Sequence, residues 1–383
     1  MQVHLKLAQI LQEHSDAGRG LVKRLAARTG LERHKVSALL NNRVQYVSLE
    51  ALAKVCDYLV EEHRLRPADL PALLFGIEPE LFSAQVANRK HLEIVLGVRT
   101  LGDGGRPASR KGKDTAAGRW FAQEWVTASD SMLHGALLHE LFGRGQERWQ
   151  TRPESLEQRL VPAYDGDESL ETVKREAESV YDRFQQLRMD RACVSAGSVK
   201  SNAVSEIIIA QAFDAEAFTP ENDASVPQNR RCPVFFRFRP DDSQPPSCHG
   251  GSRLARQHRP SQAGIYYEGA DGKWICCPAS GHQDAALVLY VHHLLEGRLE
   301  IVMAGFSGRA SRSLASSLHR LTGHFWPPSY RREHLRIGAF VVKFQFQRAA
   351  AQKPDQLDAT WLSEPAETEV VSLDESVLER RLG

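Results

Sequence analysis

LVKRLAARTGLERHKVSALLNNRVQYVSLEALAKVCDYL, residues 21–59, carries three helical periods separated by two turns, and their spacing decides how the amino-terminal part folds. Leu25 and Ala26 lie on the inner face of a helix predicted to end at Thr29, and Gly30 supplies the positive-φ position that reverses the chain. Ala26 is small where two helices cross closely. After Leu31 closes the turn, Val36, Leu39 and Leu40 recur at helical spacing and bury one side of a second helix. Arg33, His34, Ser37, Ala38 and Asn41 are left facing outward. Ser48 is the expected N-cap of a third helix, whose Leu49, Leu52, Val55 and Leu59 cover the pair. Between Arg19 and Arg43 the bases Arg19, Lys23, Arg24, Arg28, Arg33, Lys35 and Arg43 face the single acid Glu32, a charge pattern suited to phosphates.

These residues resemble the Cro/C1-type helix-turn-helix family, also called the XRE family, over about residues 5–60. The resemblance implies that the second helix enters the major groove of double-stranded DNA, while the start of the preceding helix and the following loop grip phosphates. By position it assigns Arg33, His34 and Ala38 to base-facing sites, with Ser37 on the same face. It brings Val22 or Lys23 to the DNA backbone at the first helix start, and Asn41, Asn42 and Arg43 after the recognition helix. Arg33 has the fork that reads guanine through two bonds, and His34 suits a base or a phosphate. The chain departs from the family at two points. The Asn-Gly-Lys after the recognition helix reads Asn41-Asn42-Arg43, and Asn tolerates the left-handed conformation better than most residues. The first motif helix opens on Val22 rather than a polar residue, which shifts backbone clamping to Lys23 or Arg19. The rivals are an ordinary bundle with a solvated basic face and a protein-binding variant of the motif.

The whole chain is not basic: 383 residues carry a formal charge of +1, so attraction to nucleic acid must be local. With 42% hydrophobic and 25% charged residues the composition is that of an ordinary globular protein with room for two or three domains. The longest apolar stretches, such as Ala285–Val291, are strand-sized; neither an export leader nor a membrane span is read, and a cytoplasmic location is expected. Cys56, Cys193, Cys232, Cys248, Cys276 and Cys277 form no disulfide framework and read as free thiols. A zinc site built from Cys232, Cys248, His249, Cys276, Cys277 and His282 is disfavoured, because no CxxC pair exists and adjacent Cys276 and Cys277 on a strand point to opposite faces. His139-Glu140 lacks the second histidine of HExxH, Gly143 standing there. No metal and no cofactor is expected.

The fold class read from the chain is α plus α/β. Residues 1–82 form an all-α helix-turn-helix bundle, 83–189 a helical connector with a flexible loop at 102–118, 190–347 an α/β domain with a mixed sheet, and 348–383 an acidic flexible tail. The connector's long helices are expected at Ser129–Phe142 and Ser169–Leu187, either able to form a dimer surface. Strands are expected at 192–195, 234–238, 265–267, 274–276, 287–291, 299–303 and 337–346, with Asp271-Gly272 as a hairpin turn. Ser372–Leu382 has the pattern of a short capped helix.

Strand, small-residue loop and helix recur twice, at 192–213 and 299–321. Each loop brings backbone N–H groups to a helix start, where an anion is favoured. Gly197, Ser198, Asn202, Gly305, Ser307 and Gly308 are the candidate pocket lining for a small anionic or nucleotide-like ligand, with Glu206 available to its hydroxyls. Neither loop matches a Walker or dinucleotide fingerprint, so helix caps and tight packing turns are the competing reading. The expected function is a homodimeric, sequence-specific DNA-binding transcription regulator whose carboxyl-terminal α/β domain senses a small ligand or mediates assembly. The rival is a nucleotide-processing hydrolase or transferase with an amino-terminal docking bundle, for which Asn202, Glu206 or Asp284 would be the polar actors. A self-cleaving Ser-Lys protease, as follows this motif in some phage repressors, is disfavoured, because the α/β pattern around Ser198 and Lys200 differs from that mostly-β domain.

Overall fold

The computed structural model describes residues 3–14, 20–44, 46–77, 82–100, 124–142, 153–164, 168–188, 190–218, 232–239, 262–332, 334–347 and 364–382. Arg19, the loop 102–118, Cys248 and His249 lie outside the described residues.

The amino-terminal unit runs β1 (Val3–Leu5), α1 (Leu7–Glu13), α2 (Leu21–Thr29), α3 (Arg33–Leu40), α4 (Leu49–His63), α5 (Leu70–Leu74) and β2 (Phe75–Ile77). Leu25, Val36, Leu39, Leu40, Val55 and Leu59 meet Leu7, Ile10, Leu11, Leu70 and Leu74 in one core. Each fully buried aliphatic side chain of this kind contributes about 1.5–3 kcal/mol. Both turn expectations hold: Gly30 has φ 70°, its N–H bonded to Ala26 C=O, and Asn42 has φ 52°. Ser48 caps α4, its hydroxyl accepting the Ala51 N–H at 3.1 Å. Leu49 departs from expectation. At the first position of α4 it lies ahead of the helix's contact with α2 and is exposed. The part read as all-α through residue 82 is helical after α4 only in α5, beyond which Phe75–Ile77 pairs antiparallel with Val3–Leu5. Gly76 is a poor helix former, and β1 offers it a ladder instead.

The rest of the chain builds one large mixed sheet. Its elements begin with α6 (Phe82–Ala87), β3 (His91–Thr100), β4 (Glu124–Trp125), α7 (Ala128–Phe142), β5 (Ser155–Pro162) and α8 (Leu170–Gln186). They continue with β6 (Arg191–Ala196), α9 (Ala203–Ala212), β7 (Val234–Arg237), β8 (Gly264–Glu268), β9 (Trp274–Pro278) and β10 (Gln283–His293). The last are β11 (Arg298–Gly305), α10 (Gly308–Leu321), β12 (Tyr330–Arg331), β13 (Leu335–Gln345), β14 (Glu367–Ser372) and α11 (Glu375–Leu382). The strand order is β5-β3-β6-β11-β10-β13, with β12 and β14 on the outer side of β13 and β4 on the end of β3. Strands β5, β3, β6 and β11 are parallel, whereas β10 pairs antiparallel with both β11 and β13.

Alternation along the strands feeds two cores. Val95, Cys193, Leu287, Leu289 and Val302 face α8, α9 and the small antiparallel sheet β7-β8-β9. Ile94, Val194, Val288, Ile301 and Met303 face Leu133, Leu137 and Leu141 of α7 and Leu314 and Leu318 of α10. Two expectations need correcting. Residues 83–189, read as a helical connector, supply β3 and β5 to the sheet. In β3 Leu92, Ile94, Leu96 and Val98 alternate with His91, Glu93, Gly97 and Arg99, and the polar members are buried as well, which a half-exposed strand pattern does not suggest. The tail is not all flexible: β14 extends the sheet along β13, and Val377 and Leu378 of α11 are buried.

The two parts touch at the amino-terminal ends of the parallel strands. Lys90 pairs with Glu13 at 3.3 Å and Lys6 with Asp190 at 3.8 Å. Gly297, at φ 58°, lets Gln9 approach so closely that a Cβ there would lie 2.6 Å from its amide nitrogen.

Candidate nucleic-acid interface

Burying Val36, Leu39 and Leu40 turns the opposite face of α3 to solvent. Arg33, His34 and Lys35 are exposed there, with Ser37 and Ala38 half-buried beside them. Lys23 is exposed on the first turn of α2. Glu32 sits between the bases, 3.1 Å from His34 Nε2 and 3.7 Å from Lys35 Nζ. Among the described residues neither Lys23 nor Arg33 has an ion-pair partner, so both charges are available.

The residues after α3 divide by role. Arg43 is exposed. Asn41 turns back, its amide donating to Ser37 C=O at 2.8 Å. Asn42, expected at a phosphate, spends its side chain on β1: Oδ1 accepts the Leu5 N–H at 2.6 Å and Nδ2 donates to Leu5 C=O at 2.9 Å. It acts as one more rung of backbone, tying the end of α3 to the start of the chain. Tyr46, 86% exposed in the loop before α4, is a large surface aromatic next in sequence to this face that helical periodicity could not single out.

At the far end of the sheet β6 and β11 end side by side, and the turns that follow them meet. Gly197 (φ 113°), Ser198 and Asn202 lead into α9, and Gly305, Ser307 and Gly308 into α10. Both turns close around the start of α7. A Cβ on Gly197 would lie 3.3 Å from the Asp130 carboxyl, and one on Gly308 3.0 Å from Ser129 Oγ. Thr127 and Ser129 hydroxyls are 3.1 Å apart, and Thr127 also accepts the Asp130 N–H. These three residues were not among the sequence candidates; a hydroxyl and acid cluster opening a helix, TASD, is their only local signal.

Several candidate side chains in these turns already serve the backbone. Asn202 Nδ2 donates to Val95 C=O at 2.8 Å and Ala196 C=O at 3.1 Å, while its Oδ1 caps α9 at the Val204 N–H. Ser307 caps α10 through the Arg309 N–H and donates its hydroxyl hydrogen to buried Asp284. At Gly305 a Cβ would lie 2.3 Å from Ser311 N, so its bareness serves close packing. Ser198 is buried, 3.4 Å from the Ser201 hydroxyl. Burial pushes the Asp284 carboxyl up, opposed by the Ser307 hydrogen bond and the Arg309 charge. Beside it a cavity of about 300 Å³ is lined by Cys276, Gln283, Asp284, Lys343 and Glu369 among others. Glu206 is buried in α9, where its charge adds to burial in pushing the Tyr164 hydroxyl up.

At the opposite strand ends, His91, Glu93 and Glu157 bring ligand-type atoms within 4.8 Å of one another. Arg183 meets Glu93 at 2.6 Å, Arg159 lies 3.5 Å from Glu93, and Arg159 also bonds Glu157. Two guanidiniums balance the two carboxylates, which makes this an ion-pair network around the buried Glu93 rather than a cation site. Of the cysteines once considered for zinc, Cys232 and Cys277 are buried in one core and Cys276 packs on the other side of the small sheet. Among the described residues no helix is long and apolar enough to cross a membrane.

No curated protein and no solved structure matches this chain. Residues 19–70, from before α2 to the start of α5, match the family model of the Cro/C1-type HTH DNA-binding domain.

Proposed function

We propose that this protein is a sequence-specific transcription regulator that binds double-stranded DNA as a homodimer through α3, and that its α/β part senses a small anionic or nucleotide-like ligand. The observation that carries the DNA reading is the exposed face of α3 and α2 within the family match, where Arg33 and Lys23 have no ion-pair partner among the described residues. Arg33 reads a base edge, and Lys23 and Arg43 supply the salt-dependent hold on phosphates. Two recognition helices spaced about 34 Å apart read an inverted repeat. The sensor reading is supported by the convergence of the α9 and α10 starts at the ends of parallel strands, where aligned peptide dipoles favour negative charge.

DNase footprinting on the DNA upstream of the protein's own coding sequence tests the first part. The expected outcome is a protected inverted repeat that weakens with salt and is lost in Arg33→Ala. Equal, weak protection of every sequence contradicts it. For the sensor, thermal shift of the intact protein across nucleotides and sugar phosphates should give at least one ligand whose shift Ser198→Ala changes.

A further inference from the structure

β5 is the outermost strand of the parallel half of the sheet. It pairs with β3 from His91 opposite Ser155 to Val98 opposite Pro162, and among the described residues no strand lies on its other side. Ser155 N–H donates to Lys90 C=O and Ala163 N–H to Val98 C=O. Backbone groups of successive residues point to alternate sides of a strand, so the odd-numbered residues of β5 bond to β3 and Leu156, Gln158 and Leu160 turn theirs outward. The side chains of the same three residues are exposed, Leu156 by 45% and Leu160 by 56%. A bare edge carrying two surface leucines is a feature proteins ordinarily cover. The groove of about 890 Å³ between β5 and α8 leaves it open, and Arg175, Glu178, Asp182 and Arg183 give its wall both signs of charge.

The order of residues along this edge names its occupant. Leu156-Glu157-Gln158-Arg159-Leu160 is complementary to its own reverse about Gln158. Laid antiparallel on itself with Gln158 at the centre, Leu156 falls opposite the partner's Leu160 and Glu157 opposite the partner's Arg159. We infer that β5 pairs with β5 of a second copy of this chain across a two-fold axis through Gln158, joining the two large sheets edge to edge.

The backbone fits this register. Outward N–H and C=O groups at 156, 158 and 160 make the central residue a hydrogen-bonded pair with its own copy, as a two-fold axis requires, and the leucines fall on the two flanking hydrogen-bonded pairs. Glu157 and the partner's Arg159 then occupy non-hydrogen-bonded positions, where side chains approach most closely, so each copy's charges extend the network that Glu157 and Arg159 already form with Glu93 and Arg183. Pro162, which has no N–H to offer, ends the ladder just beyond. A strand from an unrelated protein would have no reason to carry this symmetry.

The inference rests on the homodimer of the proposed function and locates it. Cysteine cross-linking of the full-length chain tests it. Residue 158 and its copy should have Cα atoms about 5.5 Å apart, within reach of a disulfide, whereas residue 156 and its copy should stand about 14 Å apart along the strands. The wild-type chain should sediment as two chains. Under the thiol oxidant diamide, Gln158→Cys should convert to a covalent dimer, while Leu156→Cys should cross-link no more than wild type. The Leu156→Cys, Leu160→Cys double variant should cross-link again. A wild-type chain that sediments alone at micromolar concentration overturns the pairing, as does a dimer in which Gln158→Cys cross-links no better than Leu156→Cys. Both surface variants should melt with the wild type, which separates misfolding from lost pairing. A dimer that cross-links yet ignores DNA removes the regulator and leaves this pairing standing. A monomer that still protects a DNA site does the reverse.

Discussion

The face of α3 and the turns at the carboxyl ends of β6 and β11 both place polar residues at a helix start, yet they use them in opposite ways. On α3 the core takes Val36, Leu39 and Leu40, and the remaining side chains point away with Arg33 uncommitted. At the strand ends the polar groups point inward: Asn202 bridges two strands and Ser307 binds both its helix and Asp284. A surface built for another molecule leaves its donors unspent, whereas a turn built for folding spends them. Two of the candidate ligand residues therefore have structural work that a ligand would have to share.

Substitutions can break this contrast or sharpen it. The largest expected effect is on stability at Asn202. Asn202→Ala strands two buried carbonyls and removes a helix cap, which should cost about 3 kcal/mol or more in denaturant unfolding. A neutral result would free Asn202 for a ligand and erase the distinction. Arg33→Ala should do the converse, leaving the melting temperature unchanged while weakening specific DNA binding about 10- to 100-fold, read by fluorescence anisotropy.

Asp284 offers a pH probe. Its carboxyl titrates above the ordinary carboxylate range in the fold, so the stabilising contribution of the protonated form is complete at low pH and is lost as pH rises through that raised value. Asp284→Asn should flatten this dependence, gaining on the wild type as pH rises in thermal melts. Parallel curves would show that Ser307 and Arg309 fully offset the burial. The smallest effect belongs to Lys23→Ala, which should weaken binding to all sequences alike and lower the slope of log affinity against log salt by about one.

What could be read from sequence follows the same division. The helix-turn-helix was legible because its determinants are local: Gly30 and Asn42 each adopt the left-handed turn their residue types suggest, and Ser48 caps the helix it precedes. β3 was not legible, although Leu92, Ile94, Leu96 and Val98 alternate with polar residues, because its buried Glu93 and Arg99 find their partners only in the tertiary fold. β5 alternates, but its inward side carries Glu157 and Arg159, whose partners Glu93 and Arg183 come from other strands and helices. At the strand ends the turns themselves were found. Their contents were not, because Asp130 arrives from a helix far earlier in the chain and Asn202 bonds to Val95, 107 residues away. Local spacing identifies a turn, but only the tertiary fold shows which of its side chains are already bound.

The central claim is that the α3 face reads DNA sequence. Selection of binding sites from a pool of random duplexes, run in parallel with wild type and Arg33→Ala, tests it most directly. The wild type should enrich one inverted repeat, and Arg33→Ala should lose preference at one position of each half-site while keeping its salt-dependent binding. Enrichment of no sequence by the wild type, or the same motif in both pools, would contradict the account.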